Sequence, residues 1–298
     1  MIQKFRHIVH LVLAFFSDYL SLLGRPLFYQ LQFQHFKCEF DNKVQPKRLC
    51  LLGNGPTFNQ IEEHLEALKG FDFCAVNLSV NTDIFFRIKP KMFAIVDMMF
   101  WQQPEREGIK ECWENIQKID WDITICIPFN SPTSMKRTFE KNHFVKVRRY
   151  SNNVWQPELP MANRLKMWLY KKGWVSPDGT NVSIGAIYAS ILNGYKEINL
   201  LGLEHSWMKD IKVNDKNEVV LINRHYYGDV EHVWRDYEGK PIKLVDFLAS
   251  QLQTFTGHLS LRSFADYLGD VRIINRTKGS YIDAYERETF EKMLESSR

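Results

Sequence analysis

Arg224 to Asp236, RHYYGDVEHVWRD, gathers on one short stretch the side chains that proton and phosphate chemistry need. His225, Asp229 and His232 are candidate bases for removing a proton from a hydroxyl. Arg224, Tyr226 and Tyr227 can donate hydrogen bonds to a departing phosphate. A solvated loop with incidental histidines is the plainer reading of the same residues. His225 and His232 lack the i, i+4 spacing of a helical metal pair, and there is no HExxH; no metal site is expected. The hydrophilic stretch just before, Lys209 to Glu218, is of the kind that forms lids, so a lid region is expected around residues 204–240.

Such side chains work only when fixed elements hold them around a ligand. Arg48 to Thr57, RLCLLGNGPT, reads as a buried strand feeding the turn Gly53-Asn54-Gly55-Pro56 at the head of a helix-like segment, Asn59 to Leu68. Glycine lets backbone approach a ligand closely, and the free N–H groups and positive end of a following helix favour phosphate. A plain structural turn is the alternative. Asn77 closes a second strand in CAVNLSV, and Asp97 closes a third in FAIVDMMFW. Both stand at carboxyl ends of strands, the rim where ligands sit in open α/β sheets, although residues in that place also serve as helix caps. Between Gly179 and Trp207, Thr180 or Asn181 can cap a helix running through Ile187 and Ile191, which Gly194 ends. Small residues at Ser183, Gly185 and Ala186 leave room for a ligand at the helix head, or simply permit close packing. The strand that follows ends at Gly202, and Glu204, His205 and Ser206 point to the same rim.

Apolar runs are continuous rather than alternating at Arg48–Gly53, Phe71–Val76, Met92–Val96, Ile123–Ile127, Val145–Arg149, Glu197–Leu201 and Val271–Ile274. Helical patterns at Ala162–Lys171, Val182–Leu192 and Ile242–Phe255 fall between them. This alternation predicts an α/β fold: a doubly wound, mostly parallel, Rossmann-like sheet. Residues 48–276 form that domain, 1–47 an N-terminal helix and connector, and 277–298 a peripheral tail with a helix from Tyr281 to Leu294. The length of 298 residues suits one such domain with appendages. A net charge of +4 suits anionic ligands or a membrane surface and does not argue for nucleic acid. The five cysteines are scattered without CxxC spacing; no disulfide framework is expected, and a reducing cytoplasmic compartment is.

Ile8 to Leu23 is strongly apolar, with Lys4, Arg6 and His7 before it and Arg25 after it. It is shorter than a span and interrupted by His10, Ser17 and Asp18, and no signal-peptide cleavage site follows. It reads as a helix lying in the membrane interface through residues 1–25, or packing on a partner, or capping the protein's own core.

In this order, these regions resemble the bacterial sialyltransferases of glycosyltransferase family 42. The resemblance runs from about Arg48 to Ile274. It rests on GNGPT at Gly53–Thr57, Asn77 after the second strand, GYKEI at Gly194–Ile198, Gly202-Leu203-Glu204 after the next strand, and His225-Tyr226-Tyr227-Gly228-Asp229 against the family's HYxGH. It implies a GT-A-like fold with a single nucleotide-binding domain, and transfer of sialic acid, with inversion and no essential metal or other cofactor, from a CMP-sugar to a sugar hydroxyl. The enzyme would be cytoplasmic and peripheral to the inner membrane, and would build a surface glycan such as lipooligosaccharide or capsule. The implied nucleotide contacts are Gly53, Asn54, Gly55, Pro56, Asn77, Asp97, Asn181, Ser183, Gly202, Glu204 and Ser206. The implied partners are a nucleotide-sugar donor and a glycan or glycolipid acceptor; the sequence leaves the oligomeric state open, a homo-oligomer being one option.

Departures from the pattern bear on the substrate. The family's general-base histidine falls on Asp229, so Asp229, His225 or His232 must take the proton. A family tyrosine falls near Ser206 or Trp207, so Tyr226 or Tyr227 would assist the leaving phosphate. The third-strand asparagine is Asp97. Kdo or a related nonulosonate is as compatible as sialic acid. Two other classes fit parts of the pattern: an ATP- and Mg-dependent pyrophosphokinase of the MptE-like type, which looks similar around the GxGP turn, and a non-catalytic membrane-attached binding protein.

Overall fold

The computed structural model describes residues 9–20, 39–40, 48–157, 162–179, 181–225, 228–236 and 239–295, with the backbone alone at 59–60, 223–225 and 228–231. In chain order the strands are β1 (Arg48–Leu52), β2 (Phe71–Val76), β3 (Met92–Ala94), β4 (Ile123–Pro128), β5 (Val145–Tyr150) and β6 (Glu197–Leu201). They continue as β7 (Ile211–Val213), β8 (Val219–His225), β9 (Gly228–Val233), β10 (Arg272–Asn275) and β11 (Glu286–Arg287). Eight of them form one sheet in the order β11-β10-β6-β1-β2-β3-β4-β5, and every pairing in it is parallel. The chain winds outward from β1 to β5, crosses back to lay β6 on the other side of β1, and continues to β10 and β11. The direction of winding therefore reverses between β1 and β6, the place where doubly wound sheets open a crevice.

Continuous apolar strands are explained by cover on both faces. Leu49 and Leu51 of β1 join a core with Tyr170, Ile184, Ile187, Leu261 and Phe264, from the helices Asn163–Lys172, Val182–Leu192 and Leu244–Leu268. Cys50 and Leu52 point the other way, to Phe58, Ile61, Phe290 and Met293. Farther along that second face, Ile125 and Ile127 meet Ile109, Cys112, Ile116 and Phe139.

Four expected elements differ. The segment Asn59 to Leu68 is broken into single turns, Asn59–Glu62 and Leu65–Leu68, because His64 leaves helical backbone at φ −124°, ψ 17°. The helix expected to end at Phe255 runs from Leu244 to Leu268. Gly257 does not break it: that glycine is where the helix crosses its neighbour, and a β-carbon there would stand 2.5 Å from Ile184 Cδ1. The tail is not one helix from Tyr281; it adds β11 and then a short helix, Phe290–Glu295, with Phe290 and Met293 buried. Lys209 to Glu218 and the loop after it form an antiparallel sheet, β7-β8-β9, instead of an irregular lid. Val219, Val220 and Leu221 are buried there, and Asn214 Oδ1 closes the β7–β8 turn by accepting the Lys216 and Glu218 N–H groups at 3.0 and 2.9 Å.

The helix at 9–20 is inverted relative to a globular surface helix. Ala14 and Asp18 are buried, and Trp155 Nε1 donates to Asp18 O at 3.2 Å. Val12, Leu13, Phe16 and Leu20 are exposed. No described helix is long and apolar enough to cross a membrane.

Candidate active site at the winding reversal

A cavity of about 480 Å³ lies at the carboxyl ends of β1 and β6. Its walls are Gly53 to Thr57 after β1, Asn77 after β2, Asn181 to Ser183 at a helix head, Gly202 to Trp207 with Lys209 and Asp210 after β6, Ile222 of β8, and Lys278, Gly279 and Tyr281 after β10.

The turn after β1 and the loop after β6 are joined atom by atom. Gly53 N donates to Leu201 O at 2.7 Å and Gly55 N to Gly202 O at 2.9 Å. Gly202 N donates to Thr57 Oγ1 at 3.1 Å, and Thr57 N donates to Glu204 Oε1 at 2.8 Å. The glycines are required by this approach: a β-carbon on Gly53 would overlap Gly202 O, and one on Gly55 would overlap the Glu204 carboxylate. The Gly53, Gly55 and Thr57 N–H groups are thus bonded within the fold, and a single-turn helix follows them. The substantial helix that aims its positive end at the cavity is Val182–Leu192, capped by Asn181, whose Oδ1 accepts Ser183 N at 2.9 Å.

Three buried acceptor oxygens at this rim have no hydrogen-bond partner among the described residues: Asn54 Oδ1, Asn77 Oδ1 and Glu204 Oε2. An unanswered buried polar atom costs about 1–3 kcal/mol. Two neighbouring residues are also strained: Asn77 and His205 hold left-handed backbone, at φ 48° and 49°. A ligand that brings hydrogen-bond donors would answer these oxygens.

Behind the rim lies a buried chain of polar groups. Ser183 Oγ donates to Asn181 Oδ1 at 2.7 Å, which leaves its oxygen to accept from His205 Nε2 at 3.2 Å and His258 Nε2 at 3.5 Å. His258 Nδ1 then accepts the Tyr285 hydroxyl proton at 2.9 Å. Burial lowers the His205 pKa to about 3, and burial together with the nearby His205 holds His258 well below its ordinary value of 6.5. Both imidazoles are neutral in the folded protein and are poor proton acceptors. Because the unfolded chain binds protons that the folded one refuses, stability should fall as pH drops from 6.5 towards about 3. The expected slope is up to about 1.4 kcal/mol per pH unit for each imidazole. Urea unfolding across that range measures it, and His205→Asn should flatten the slope.

Of the sequence-derived binding residues, Gly53, Asn54, Gly55, Pro56, Asn77, Asn181, Ser183, Gly202, Glu204 and Ser206 all line the cavity. Asp97 does not: its carboxylate accepts Met99 N at 2.9 Å, in the turn that leads into Met99–Gln102. Among the proposed catalytic residues, His225 pairs with Gly228 and Asp229 with Arg224, at the end of the β8–β9 hairpin. Tyr226 and Tyr227, between the two strands in sequence, lie outside the described residues. Ile222, on the same strand, lines the cavity, so the hairpin reaches it. His232 pairs with Leu221, is exposed and does not line the cavity.

Reading the sequence missed Trp207, Lys209, Asp210, Lys278, Gly279 and Tyr281. Trp207 stacks on His205 with ring centres 4.5 Å apart. The loop after β10 is bound to the loop after β6 through Ser280 Oγ to Leu203 O at 2.7 Å and Tyr281 N to Glu204 O at 2.8 Å. Its signal was present, since Lys278-Gly279-Ser280 follows an apolar strand as Gly53–Pro56 does.

No protein-family model and no curated protein matches the chain. Among solved structures it is similar to the sialyltransferase CstII from Campylobacter jejuni in complex with cytidine-5′-monophosphate, at 13% identity over 82% of this chain and 85% of that one, TM-score 0.43. It is similar to CstII in complex with CMP-3FNeuAc at 15% identity over 81% and 85%, TM-score 0.43. It is also similar to the monofunctional α-2,3-sialyltransferase Cst-I of the same organism, at 14% identity over 83% and 83%, TM-score 0.41.

Proposed function

We propose that this chain is an inverting glycosyltransferase that moves sialic acid or a related keto-sugar acid from a CMP-sugar to a sugar hydroxyl. The observation that carries the reading is the convergence of unanswered acceptors, Asn54 Oδ1, Asn77 Oδ1 and Glu204 Oε2, in one cavity at the winding reversal. These are the residues on which the ordered motifs fall. A nucleoside offers what they lack, ribose hydroxyls and the exocyclic amine of cytosine, and a carboxylate at a strand end is a recurring ribose ligand. The cavity volume is within the usual range for small ligands. Lys209 and Lys278 bring positive charge for the phosphate or the sugar carboxylate.

In the transfer, the acceptor oxygen bonds to the anomeric carbon from the face opposite the phosphate. The bond from that carbon to the phosphate oxygen breaks, and its electron pair leaves with CMP. The hydroxyl proton passes to Asp229 or His225 on the β8–β9 hairpin. The exposed apolar side of the 9–20 helix, with Lys4, Arg6 and Arg25 near it in sequence, supports placement on the cytoplasmic face of an anionic membrane, where a glycolipid acceptor of surface-glycan synthesis would be presented.

Thermal unfolding with CMP, CDP, UDP, GDP and ATP, each with and without Mg²⁺, tests the reading. CMP at about 100 times its dissociation constant should add roughly 2.7 kcal/mol of stability without Mg²⁺. Glu204→Gln keeps an acceptor for Thr57 N and should reduce that gain. Stabilisation by ATP only with Mg²⁺, or by UDP or GDP alone, would overturn it.

A further inference from the structure

We propose, on the nucleotide reading of the cavity, that the turn after β10 receives the 5′-phosphate through the ammonium and the backbone N–H of Lys278. Lys278 lines the cavity and is exposed. Among the described residues its ammonium has no ion-pair partner and its N–H no acceptor, and its field reaches Glu291 without a contact. A cation and a donor on one residue, both unanswered, suit an anion. Gly53, Gly55 and Thr57, by contrast, give their N–H groups to the fold. Lys209, on another wall, has its N–H bonded to Ser206 O at 2.9 Å and Asp210 beside it on the cavity lining.

The turn is held by the fold itself. Ser280 N donates to Thr277 O at 3.3 Å across Gly279 at φ 72°, the pattern of a type II turn with Lys278 second. Thr277 N donates to Asn275 Oδ1 at 3.0 Å. Thr277 Oγ1 donates to Leu200 O and accepts Leu203 N, both at 3.2 Å. Arg287 Nη2 donates to Ser280 O at 2.7 Å. The backbone that carries Lys278 therefore has little freedom left to lose on binding.

The neighbour of the turn selects the phosphate over the sugar carboxylate. Tyr281 N donates to Glu204 O at 2.8 Å, which sets the turn beside the residue to which the nucleotide reading gives the ribose. The anion bonded directly to that ribose is the 5′-phosphate. It also gains charge in the transfer. A diester with one negative charge becomes a monoester with about −1.5 to −2 as the bond to the anomeric carbon breaks. Lys278 should therefore favour departure of CMP as well as its binding.

Calorimetric titration of the full chain with CMP, and with cytidine, which lacks only the phosphate, tests the assignment. Lys278→Gln should weaken CMP about 30-fold and leave cytidine within about 2-fold. Lys278→Pro also removes the N–H, at a turn position that proline favours, and should weaken CMP about 5-fold more. Lys278→Arg should recover most of the affinity, and the melting temperature without ligand should match the wild type in the Gln and Arg variants. Lys209→Gln removes an equal charge from another wall and should cost less than about 5-fold. Equal losses at 278 and 209 would reduce the effect to a general field and overturn the proposal. Wild-type CMP affinity in Lys278→Gln would overturn it and leave the nucleotide reading standing. A loss with CMP-sialic acid but not with CMP would overturn it in favour of the sugar carboxylate. A wild type that binds neither CMP nor cytidine would overturn both the proposal and the reading beneath it.

Discussion

Gly55→Val should eliminate CMP binding and leave a protein less stable by roughly 3 kcal/mol, the scale of overpacking with the loss of a charge-assisted hydrogen bond. The β-carbon of any residue at 55 overlaps the Glu204 carboxylate. That carboxylate must turn away, Thr57 N then loses its acceptor, and the tie from Gly55 N to Gly202 O is strained with it. The variant therefore disturbs both loops that floor the cavity. Gly279, also on the cavity wall, is the control: at φ 72° it has nothing within 4 Å of a β-carbon, so Gly279→Asn, which tolerates left-handed backbone, should keep CMP binding. Calorimetric titration with CMP separates them. A folded Gly55→Val protein that binds CMP with wild-type affinity would refute the proposed floor of the site.

Removing the base should lower turnover about 10²-fold or more while CMP-induced stabilisation stays at its wild-type value. Asp229→Asn and His225→Asn are to be compared with an assay of CMP release in the presence of acceptor. Both positions sit at the end of the hairpin whose strand reaches the cavity through Ile222. The variant whose turnover collapses identifies the base, and unchanged turnover in both would end the assignment. His232→Asn serves as the reference, because that residue is exposed and away from the cavity, and it should retain full turnover.

Elements with long apolar runs and clear stops were legible in the sequence. Phe71–Val76, Glu197–Leu201 and Val182–Leu192 have the limits that their composition suggested. The β8–β9 hairpin was hidden because Asn223, Arg224 and His225 disguise the end of an otherwise apolar strand, and strand pairing depends on residues far along the chain. Two-residue β11 has too little sequence to show a pattern; Arg272 holds it from β10 by reaching Glu286 at 2.8 Å. Gly257 reads locally as a helix stop, and only the crossing with Ile184 explains it. At the site, polar residues following buried strands were found readily, but their tasks were not distinguished: Asn77 faces the cavity, whereas the Asp97 carboxylate accepts the Met99 N–H in a local turn. The hydrogen bonds that consume the Gly53–Thr57 donors come from residues nearly 150 positions away and left no local trace.

The unanswered oxygens at Asn54, Asn77 and Glu204, with the left-handed backbone at Asn77 and His205, set folding against recognition at the same few positions. Each feature raises the free energy of the protein, and a donor-bearing ligand would let the oxygens recover theirs. Variation that relaxes this rim would yield a sturdier chain with a weaker grip. The tolerance of the protein to change therefore depends on what occupies it: a cell rich in the ligand would preserve a rim that, in the ligand's absence, is among the least favourable parts of the fold.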